Sequence, residues 1–423
     1  MNRPYRTFRV LPGTRCVAIW LAAGLMLAAG AAAAAEEELQ IVVGFEGSCP
    51  HSLQGVRREG PQRFRIFPSW REVAGKGEDA VGRSTRLGFK VVNTSHGPRP
   101  VELLIDWQYH QAPAKDVPQF PGGVAEYMSY RDFVVVRGPG QPGWRTVMAD
   151  IDDSVGCVCL TVAPGETEIH WHPDYTYTQG EQFVESLRGN PLVKIEKLGQ
   201  SNDGRNLWLL RITDDSSRAK KPALMYARCH AYESAGSYTM EGMVRWLVSG
   251  EPYAVRAVRE YEFYVIPMIN PDGVYRGLAK LTAPQGVDPQ FMTPTTSSVQ
   301  RAMKQVMDRV KPALYIDLHN WQNKCNDGAL FLEQDILDRF LRYMPDQIAF
   351  GKHWEFRKPL PLPPTPPEKE LACVYCLRMY HPTFVTFEWS WFGRTPDDIR
   401  AAGRTALWAL LRAVEDPKTQ GKR

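Results

Sequence analysis

The chain has 423 residues, of which 43% are hydrophobic, 11% aromatic and 23% charged, so a disordered or fibrous protein is excluded and a sizeable buried core is permitted. Its formal net charge is +4, and the first 35 residues hold four arginines and no acidic residue, which leaves basic and acidic side chains in equal number after residue 35. This balance excludes a protein that binds nucleic acid or anionic lipid through a surplus of basic residues.

The first 35 residues have the pattern of a secretory signal peptide. Their arginines lead into an apolar run at residues 16–27, and small residues follow up to Ala35. The run is shorter than the ~20 apolar residues that span a bilayer, and no later segment reaches that length. We therefore expect cleavage after Ala35 and an exported protein, periplasmic or secreted, without stable membrane insertion.

Residues 36–172 predict an antiparallel β-sandwich domain. Short β-rich runs are separated there by Gly, Pro, Asn and Asp, and no helical periodicity interrupts them. The predicted strands are residues 39–45, 64–67, 87–92, 101–108, 133–136, 146–149, 155–162 and 168–171.

Residues 173–423 predict an α/β domain with a mixed, mostly parallel sheet. Apolar strands at residues 207–212, 223–227, 263–268, 314–318 and 384–387 alternate with stretches of helical periodicity at 240–248 and 299–310. A last helix is predicted to begin at Thr395-Pro396, an N-cap residue followed by a proline, and to run to residue 414. Ligands of such sheets bind at the carboxyl ends of the strands.

Seven of the eight cysteines follow residue 35, which is too few for a disulfide scaffold. Because seven is an odd number, they cannot all pair within one chain. Cys373 and Cys376 form the one Cys-x-x-Cys spacing. They are either an oxidised pair or two buried thiols, and the sequence leaves both alternatives open.

Four reactive side chains follow three of the predicted parallel strands. His230 and Glu233 come after 223–227, His319 follows 314–318, and Glu388 closes 384–387. Two imidazoles and one carboxylate can bind zinc and leave a position for water, whose proton a further carboxylate can take. Each motif alone also suits a surface or packed histidine, but their shared sheet edge favours one metal site.

These motifs resemble, in chain order, the signature of the zinc metallocarboxypeptidases. The resemblance rests on four segments: His-Ala-Tyr-Glu-Ser at 230–234, Asn-Pro-Asp-Gly-Val at 270–274, Asp-Leu-His at 317–319 and Thr-Phe-Glu at 386–388. Residues 198–210 are similar to the opening strand of that family. The β-sandwich in front resembles its cytosolic-carboxypeptidase-like branch, so the resemblance covers nearly all of the chain after residue 35.

The resemblance implies a role for each matching residue. One zinc ion per chain would be bound by His230, Glu233 and His319, and Glu388 would be the general base of peptide or related amide hydrolysis. Asp288 matches the acidic residue that orients the first histidine, although it also suits an ordinary turn aspartate.

The chain departs from the family at two places. The Leu-Asn-Arg that normally follows the acidic residue is replaced by Pro289-Gln290-Phe291; Gln290 can supply the amide, but Phe291 cannot supply the cation that binds a terminal carboxylate. Lys280 is the counterpart of the arginine that stabilises the oxyanion, or else a solvated loop lysine.

Four basic residues near the motifs could replace the missing cation, namely Arg276, Lys324, Arg378 and Arg394, of which Arg276 is our candidate for substrate binding. Strict cleavage at a free C-terminus is therefore in doubt. The alternative function is a non-catalytic protein that keeps this fold and binds a peptide or glycan, and the retained Glu388 argues against it.

Overall fold

The structure is a computed structural model, which describes residues 38–49, 56–68, 86–107, 132–216, 219–282, 286–292, 295–320, 327–345, 370–391 and 393–416. The predicted signal peptide lies outside the described residues. Among the helices of the described ranges, none has both the length and the apolar character needed to cross a membrane.

Two five-stranded sheets form the N-terminal part. The first has the order β1 (Leu39–Val42), β4 (Gly88–Asn93), β10 (Gly165–His170), β6 (Phe133–Arg137) and β7 (Arg145–Met148), with every neighbouring pair antiparallel. The second has the order β2 (Arg57–Gly60), β3 (Arg63–Ile66), β5 (Arg99–Asp106), β9 (Val155–Val162) and β8 (Asp150–Asp152). Its pairs are antiparallel except for β3 with β5.

One apolar core joins these two sheets. Along β9 every second residue is buried, including Val158, Leu160 and Val162, and these side chains share a cluster with Phe89 and Val91 of β4 in the other sheet. Because side chains alternate across a strand, each sheet presents one apolar face to the other. The predicted N-terminal domain of antiparallel sheets is confirmed, apart from the parallel pair of β3 with β5.

The C-terminal part contains a seven-stranded mixed sheet. Its order is β11 (Val193–Gln200), β12 (Asn206–Ile212), β14 (Tyr261–Ile266), β13 (Lys221–Ala227), β15 (Leu314–Asn320), β17 (Thr383–Trp389) and β16 (Gly328–Phe331). The four central strands β14, β13, β15 and β17 are parallel, and the outer three pair antiparallel with their neighbours. The predicted mixed α/β sheet is confirmed.

Helices cover both faces of this sheet. The helices of the described residues are α1 (Tyr177–Ser186), α2 (Ser234–Leu247), α3 (Pro252–Glu260), α4 (Pro271–Tyr275), α5 (Ser298–Val310), α6 (Gln334–Tyr343), α7 (Ala372–Tyr380) and α8 (Pro396–Glu415). On β13, Ala223 and Met225 pack in one apolar cluster with α2 and α8, whereas Leu224 and Tyr226 pack in another with α5 and α7. Burial on both faces is what makes the central strands uniformly apolar.

The start of α8 follows the sequence prediction. The Thr395 hydroxyl accepts from the Asp398 amide at 3.2 Å, and the Asp398 carboxylate accepts from the Thr395 amide at 2.8 Å. Pro396 occupies the first helical position. The two reciprocal bonds form a capping box, which satisfies amides that the helix itself leaves open.

Candidate metal centre and active site

Three adjacent parallel strands position the candidate ligands. On β15 and β17, His319 lies in register with Glu388. His230 and Glu233 lie in the short connection between β13 and α2, where Glu233 occupies the N-cap position without making a capping hydrogen bond. Its carboxylate is thereby available for the two histidines.

The three predicted ligands converge. Nδ1 of His230 is 2.8 Å from Oε1 of Glu233, and Nδ1 of His319 is 2.6 Å from Oε2 of the same carboxylate. All three side chains are buried, and one ligand atom from each lies within 4.8 Å of the others. Two imidazole nitrogens and a carboxylate oxygen at this spacing fit a zinc ion.

A second carboxylate stands behind each imidazole. Nε2 of His230 is 3.3 Å from Oδ1 of Asp288, and Nε2 of His319 is 2.8 Å from Oδ1 of Asp317. Such outer carboxylates hold the proton on Nε2 and so leave Nδ1 free to bind a metal. This arrangement on both histidines strengthens the fit to zinc.

The sequence motifs that predict the metal ligands assign Asp317 no role of its own, although a signal for one is present. Asp317 and His319 are two residues apart on β15, and side chains at that spacing point to the same face of a strand. An acid two residues before a strand-borne histidine can therefore reach its ring.

The pKa values reflect an excess of negative charge. Burial opposes ionisation of Glu233, but the two imidazoles hold the pKa of its carboxyl well below the ordinary value. Burial likewise opposes protonation of His230, yet Glu233 and Asp288 raise its pKa to about 9. The pKa of His319 is raised well above its usual range, since Asp317 and Glu233 outweigh burial. Carboxylates gathered around two imidazoles in this way favour a divalent cation.

Glu388 has the opposite shift. Burial raises the pKa of its carboxyl to about 8, with Glu233 adding to the rise and the His319 charge opposing it. The side chain is only partly buried and lies in register with His319 on the neighbouring strand. A carboxyl group with a pKa near neutrality can both accept and return a proton.

Asp288 lies in a turn and also beside His230, so it has contacts related to both roles that the sequence left open. Its Oδ1 accepts from the Gln290 backbone amide at 2.9 Å, as in a turn, and also lies near His230. Against burial, His230 and Lys280 lower the pKa of Asp288 to about 2. Nζ of Lys280 is 3.9 Å from Oδ2 of Asp288, with a quarter of the side chain exposed. The structure thus brings Lys280 to the edge of the ligand group.

The Asn-Pro-Asp-Gly motif holds the loop that carries Lys280. Asn270 accepts from the Gly273 amide at 3.0 Å and donates to the carbonyls of Lys280 and Leu281 at 3.2 and 3.1 Å. A Cβ on Gly273 would lie 2.5 Å from the Asn270 amide nitrogen, so only glycine fits there. The motif acts by fixing backbone next to the site.

The described basic residues proposed for the missing cation are engaged elsewhere. Arg276 donates to both oxygens of Asp203 at 2.7 Å, and Arg378 pairs with Glu370 at 2.8 Å. Arg394 is buried and bidentate on Asp327, at 2.6 Å for each bond. Lys324 lies outside the described residues. Substrate binding by Arg276 or Gln290 stays a prediction.

The two cysteines of the Cys-x-x-Cys spacing are free thiols on α7. Cys376 is buried in the core, and burial together with its neighbour Cys373 holds the pKa of its thiol above the ordinary value. The structure therefore agrees with the alternative of two thiols.

The β-sandwich packs against the segment that leads to Lys280. The Gly47 amide donates to the Tyr275 carbonyl at 3.3 Å, and Arg86 donates to the Leu278 carbonyl at 3.3 Å. Gly277 has φ +70°, and a Cβ there would lie 1.5 Å from the Ser48 carbonyl oxygen. The sandwich thus walls one side of the candidate site.

The comparisons with known proteins agree with this geometry. A model of the zinc carboxypeptidase family matches residues 181–283. Cytosolic carboxypeptidase 2 of Macaca fascicularis is 31% identical over 207 residues, which cover 43% of this chain and 24% of that protein. Cytosolic carboxypeptidase 6 of Homo sapiens is 32% identical over 184 residues, which cover 39% of this chain and 36% of that protein. The matched region spans about a quarter to a third of these relatives.

Solved structures show the same fold. A metallo-carboxypeptidase from Burkholderia cenocepacia has a TM-score of 0.73 at 17% identity, covering 89% of this chain and 99% of that one. A metallo-carboxypeptidase from Pseudomonas aeruginosa has a TM-score of 0.68 at 19% identity, covering 89% of this chain and 98% of that one. The alternative of a non-catalytic binding protein finds no support in these comparisons.

The predicted location is wrong on this comparison. We expected an exported protein, periplasmic or secreted, with a signal peptide, whereas the curated relatives are named cytosolic carboxypeptidases. That expectation depended only on the composition of residues 1–35, and an arginine-rich start before a short apolar run does not by itself determine where a protein acts.

Proposed function

Because the chain carries a domain of the zinc carboxypeptidase family, we propose that it hydrolyses a peptide or a related amide bond with water activated at a single zinc site. The observation that carries the proposal is the convergence of both Nδ1 atoms, from His230 and His319, on the carboxylate of Glu233.

The metal would be held by His230, Glu233 and His319. When bound there, zinc supplies Lewis acidity, which lowers the pKa of water and polarises a carbonyl group. Asp288 and Asp317 keep the protons of the imidazoles on Nε2, so both Nδ1 atoms face the metal position.

Glu388 is the proposed general base and proton shuttle. Its carboxylate takes a proton from the attacking water and returns it to the nitrogen of the leaving amine, so one group serves both halves of the reaction. Register with His319 on the adjacent strand supports this role, and so does a pKa raised by burial. No covalent intermediate is needed.

Lys280 is the proposed stabiliser of the negative charge that develops on the carbonyl oxygen. An ammonium group supplies a compensating positive charge from a single point, without the two parallel hydrogen-bond donors of a guanidinium. Its support is the position of Nζ at the edge of the ligand group, on a loop fixed by Asn270.

The substrate is proposed to be a peptide. Gln290 and Arg276 are candidates for contacts with it, but neither replaces a dedicated, free arginine for a terminal carboxylate, since Arg276 is paired with Asp203. The proposed enzyme is therefore a carboxypeptidase-like peptidase whose restriction to free C-termini is the open point that experiment decides.

The test is digestion of a peptide mixture that contains both free and amidated C-termini, followed by mass spectrometry. Zinc-loaded wild-type protein is compared with Glu388→Gln, which keeps the size of the side chain and removes the base. We expect the variant to lose roughly 10²–10⁴-fold in rate while it retains its zinc. Glu185→Gln, at an exposed ion pair with Arg188, is the matched control and should retain full activity.

Products trimmed only from free ends would establish a carboxypeptidase, and equal processing of both sets would establish an endopeptidase or amidase. A Glu388→Gln variant as active as the wild type would contradict the assigned base. Zinc-loaded wild-type protein that hydrolyses no peptide would contradict the proposed function itself.

A further inference from the structure

A small pocket lies between the β-sandwich and the connection that carries Glu233. Arg86, His170 and Asp174 line it on one side, and Tyr232 and Ser234 line it on the other. The latter two flank Glu233 in the sequence, so the pocket adjoins the metal ligands without sharing them.

Two buried polar atoms of the pocket lack a hydrogen-bond partner among the described residues. They are Nε2 of His170 and the hydroxyl of Ser234, and each residue is 2% exposed. The nearest carboxylate to His170 Nε2 is Glu168 at 3.9 Å, which is itself paired with Arg137 at 2.6 Å. Buried polar groups left without a partner are rare in folded proteins, because they lose water and gain nothing in return.

Arg228 adds a buried positive charge close to two residues that line this pocket. The residue is fully buried, with φ +58°, and none of its three guanidinium nitrogens has a hydrogen-bond partner in the described part of the chain. Its guanidinium interacts electrostatically with Asp174 and Arg86, which both line the pocket.

The carboxylates of Asp174 and Glu241 already form ion pairs with other arginines. Asp174 pairs with Arg86 at 2.7 Å, so a single carboxylate serves two guanidinium groups. Glu241, which lies farther along α2, is held by Arg245 at 3.0 Å and by Arg400. A guanidinium group stays charged in proteins, so Arg228 shares with Arg86 the one carboxylate that lines the pocket.

We propose that this pocket binds a small monovalent anion, either chloride or the carboxylate of a short acid such as acetate. The anion would balance the charge of Arg228 and accept hydrogen bonds from Ser234 and from the His170 ring. Most residues that line the pocket are buried, which favours a small ion over a large one. The site is separate from the proposed hydrolysis, and its test involves no turnover.

The experiment follows the thermal unfolding of the full, zinc-loaded chain in potassium gluconate, chloride and acetate at equal ionic strength. We expect chloride or acetate to raise the melting temperature by several degrees in a saturable way relative to bulky gluconate. A rise with chloride identifies a halide site, and a rise with acetate alone identifies a carboxylate site. Arg228→Met should melt higher than the wild type in gluconate and lose the dependence on the anion.

Arg188→Met is the matched control, because Arg188 is an exposed arginine paired with Glu185 next to α1. It should keep the saturable rise of the wild type. The proposal is overturned if the wild type shows no saturable rise, or if Arg228→Met keeps it.

A second variant covers the case in which Arg228→Met does not fold. Ser234→Ala removes one proposed donor and little volume, so the half-saturating anion concentration should rise several-fold. An unchanged half-saturating concentration in that variant would overturn the proposal.

Discussion

At the scale of single residues, the candidate site depends on side chains that hold other side chains. His230 and His319 each place Nδ1 within 2.8 Å of the Glu233 carboxylate and Nε2 within 3.3 Å of an outer carboxylate, Asp288 or Asp317. Removal of an outer carboxylate changes ring orientation and ligand basicity even though no ligand is lost.

The first prediction concerns Asp317→Asn. The amide keeps the shape of the side chain but removes its charge, so we expect the affinity for zinc to fall by roughly 10–100-fold. A titration of zinc against a competing chelator measures this change. Asp335→Asn, on the exposed side of α6, is the control and should bind zinc as the wild type does. Unaltered affinity of Asp317→Asn would contradict the role that we assign to Asp317.

At this scale, the sequence identified the reactive residues better than it identified the contacts of the residues around them. His230, Glu233, His319 and Glu388 stand at strand ends, where the pattern of apolar runs is easily read. The pairing of Arg276 with Asp203 could not be foreseen, because it joins loops 73 residues apart.

At the scale of elements, helices α2 and α8 approach closely through glycine. A Cβ on Gly403 would lie 2.3 Å from the Thr239 carbonyl oxygen, and one on Gly242 would lie 2.0 Å from the Arg400 carbonyl oxygen. Each glycine thus faces the backbone of the other helix. Since α2 begins directly after Glu233, its position is coupled to that of the ligand.

The second prediction is that Gly403→Ala destabilises the fold by about 1–3 kcal/mol, because the backbone at Thr239 cannot yield as a flexible side chain can. Thermal unfolding measures the loss. Gly180→Ala in α1 is the control: its Cβ would meet two side-chain atoms, the terminal carbon of Met268 at 3.2 Å and a ring carbon of Tyr175 at 3.7 Å, and alanine gains helix propensity. Equal stability of the two variants would contradict this account of the helix contact.

Element prediction succeeded for the central strands and for α2, α5 and α8, but it missed α1, α3, α6 and α7. Central strands such as β13 and β15 were found because both faces are covered, and α8 because its capping residues are explicit in the sequence. Strands β2 and β8 were missed, since Arg-Arg-Glu-Gly and Asp-Ile-Asp carry almost no apolar alternation and both lie at edges of the second sheet.

At the scale of the whole molecule, two sheet systems meet beside the candidate site. The division into residues 36–172 and 173–423 stays a proposal, and it falls between β10 and α1. His170, the last residue of β10, is buried near this meeting point, where burial lowers its pKa to about 4 despite the charges of Asp174 and Glu168.

The third prediction follows from that shift. In the unfolded chain a histidine binds its proton near pH 6.5, but in the folded chain His170 binds one only near pH 4. The folded state therefore loses stability as the pH falls from about 6.5 to about 4, by up to about 3 kcal/mol, and is unaffected by this group above pH 6.5.

Denaturant unfolding between pH 7 and pH 4 measures the effect. His170→Gln should lose less stability on acidification than the wild type, whereas His96→Gln, at an exposed position, should follow the wild type. Parallel acid profiles for the wild type and His170→Gln would contradict the assignment to His170.

The central claim is that one zinc ion is held by His230, Glu233 and His319. Diffraction data from the purified protein, collected on both sides of the zinc absorption edge, test it most directly. The account predicts one strong anomalous peak per chain, within bonding distance of the two Nδ1 atoms and a Glu233 oxygen. A zinc-supplemented crystal without a peak there, or with its peak at other residues, would contradict it.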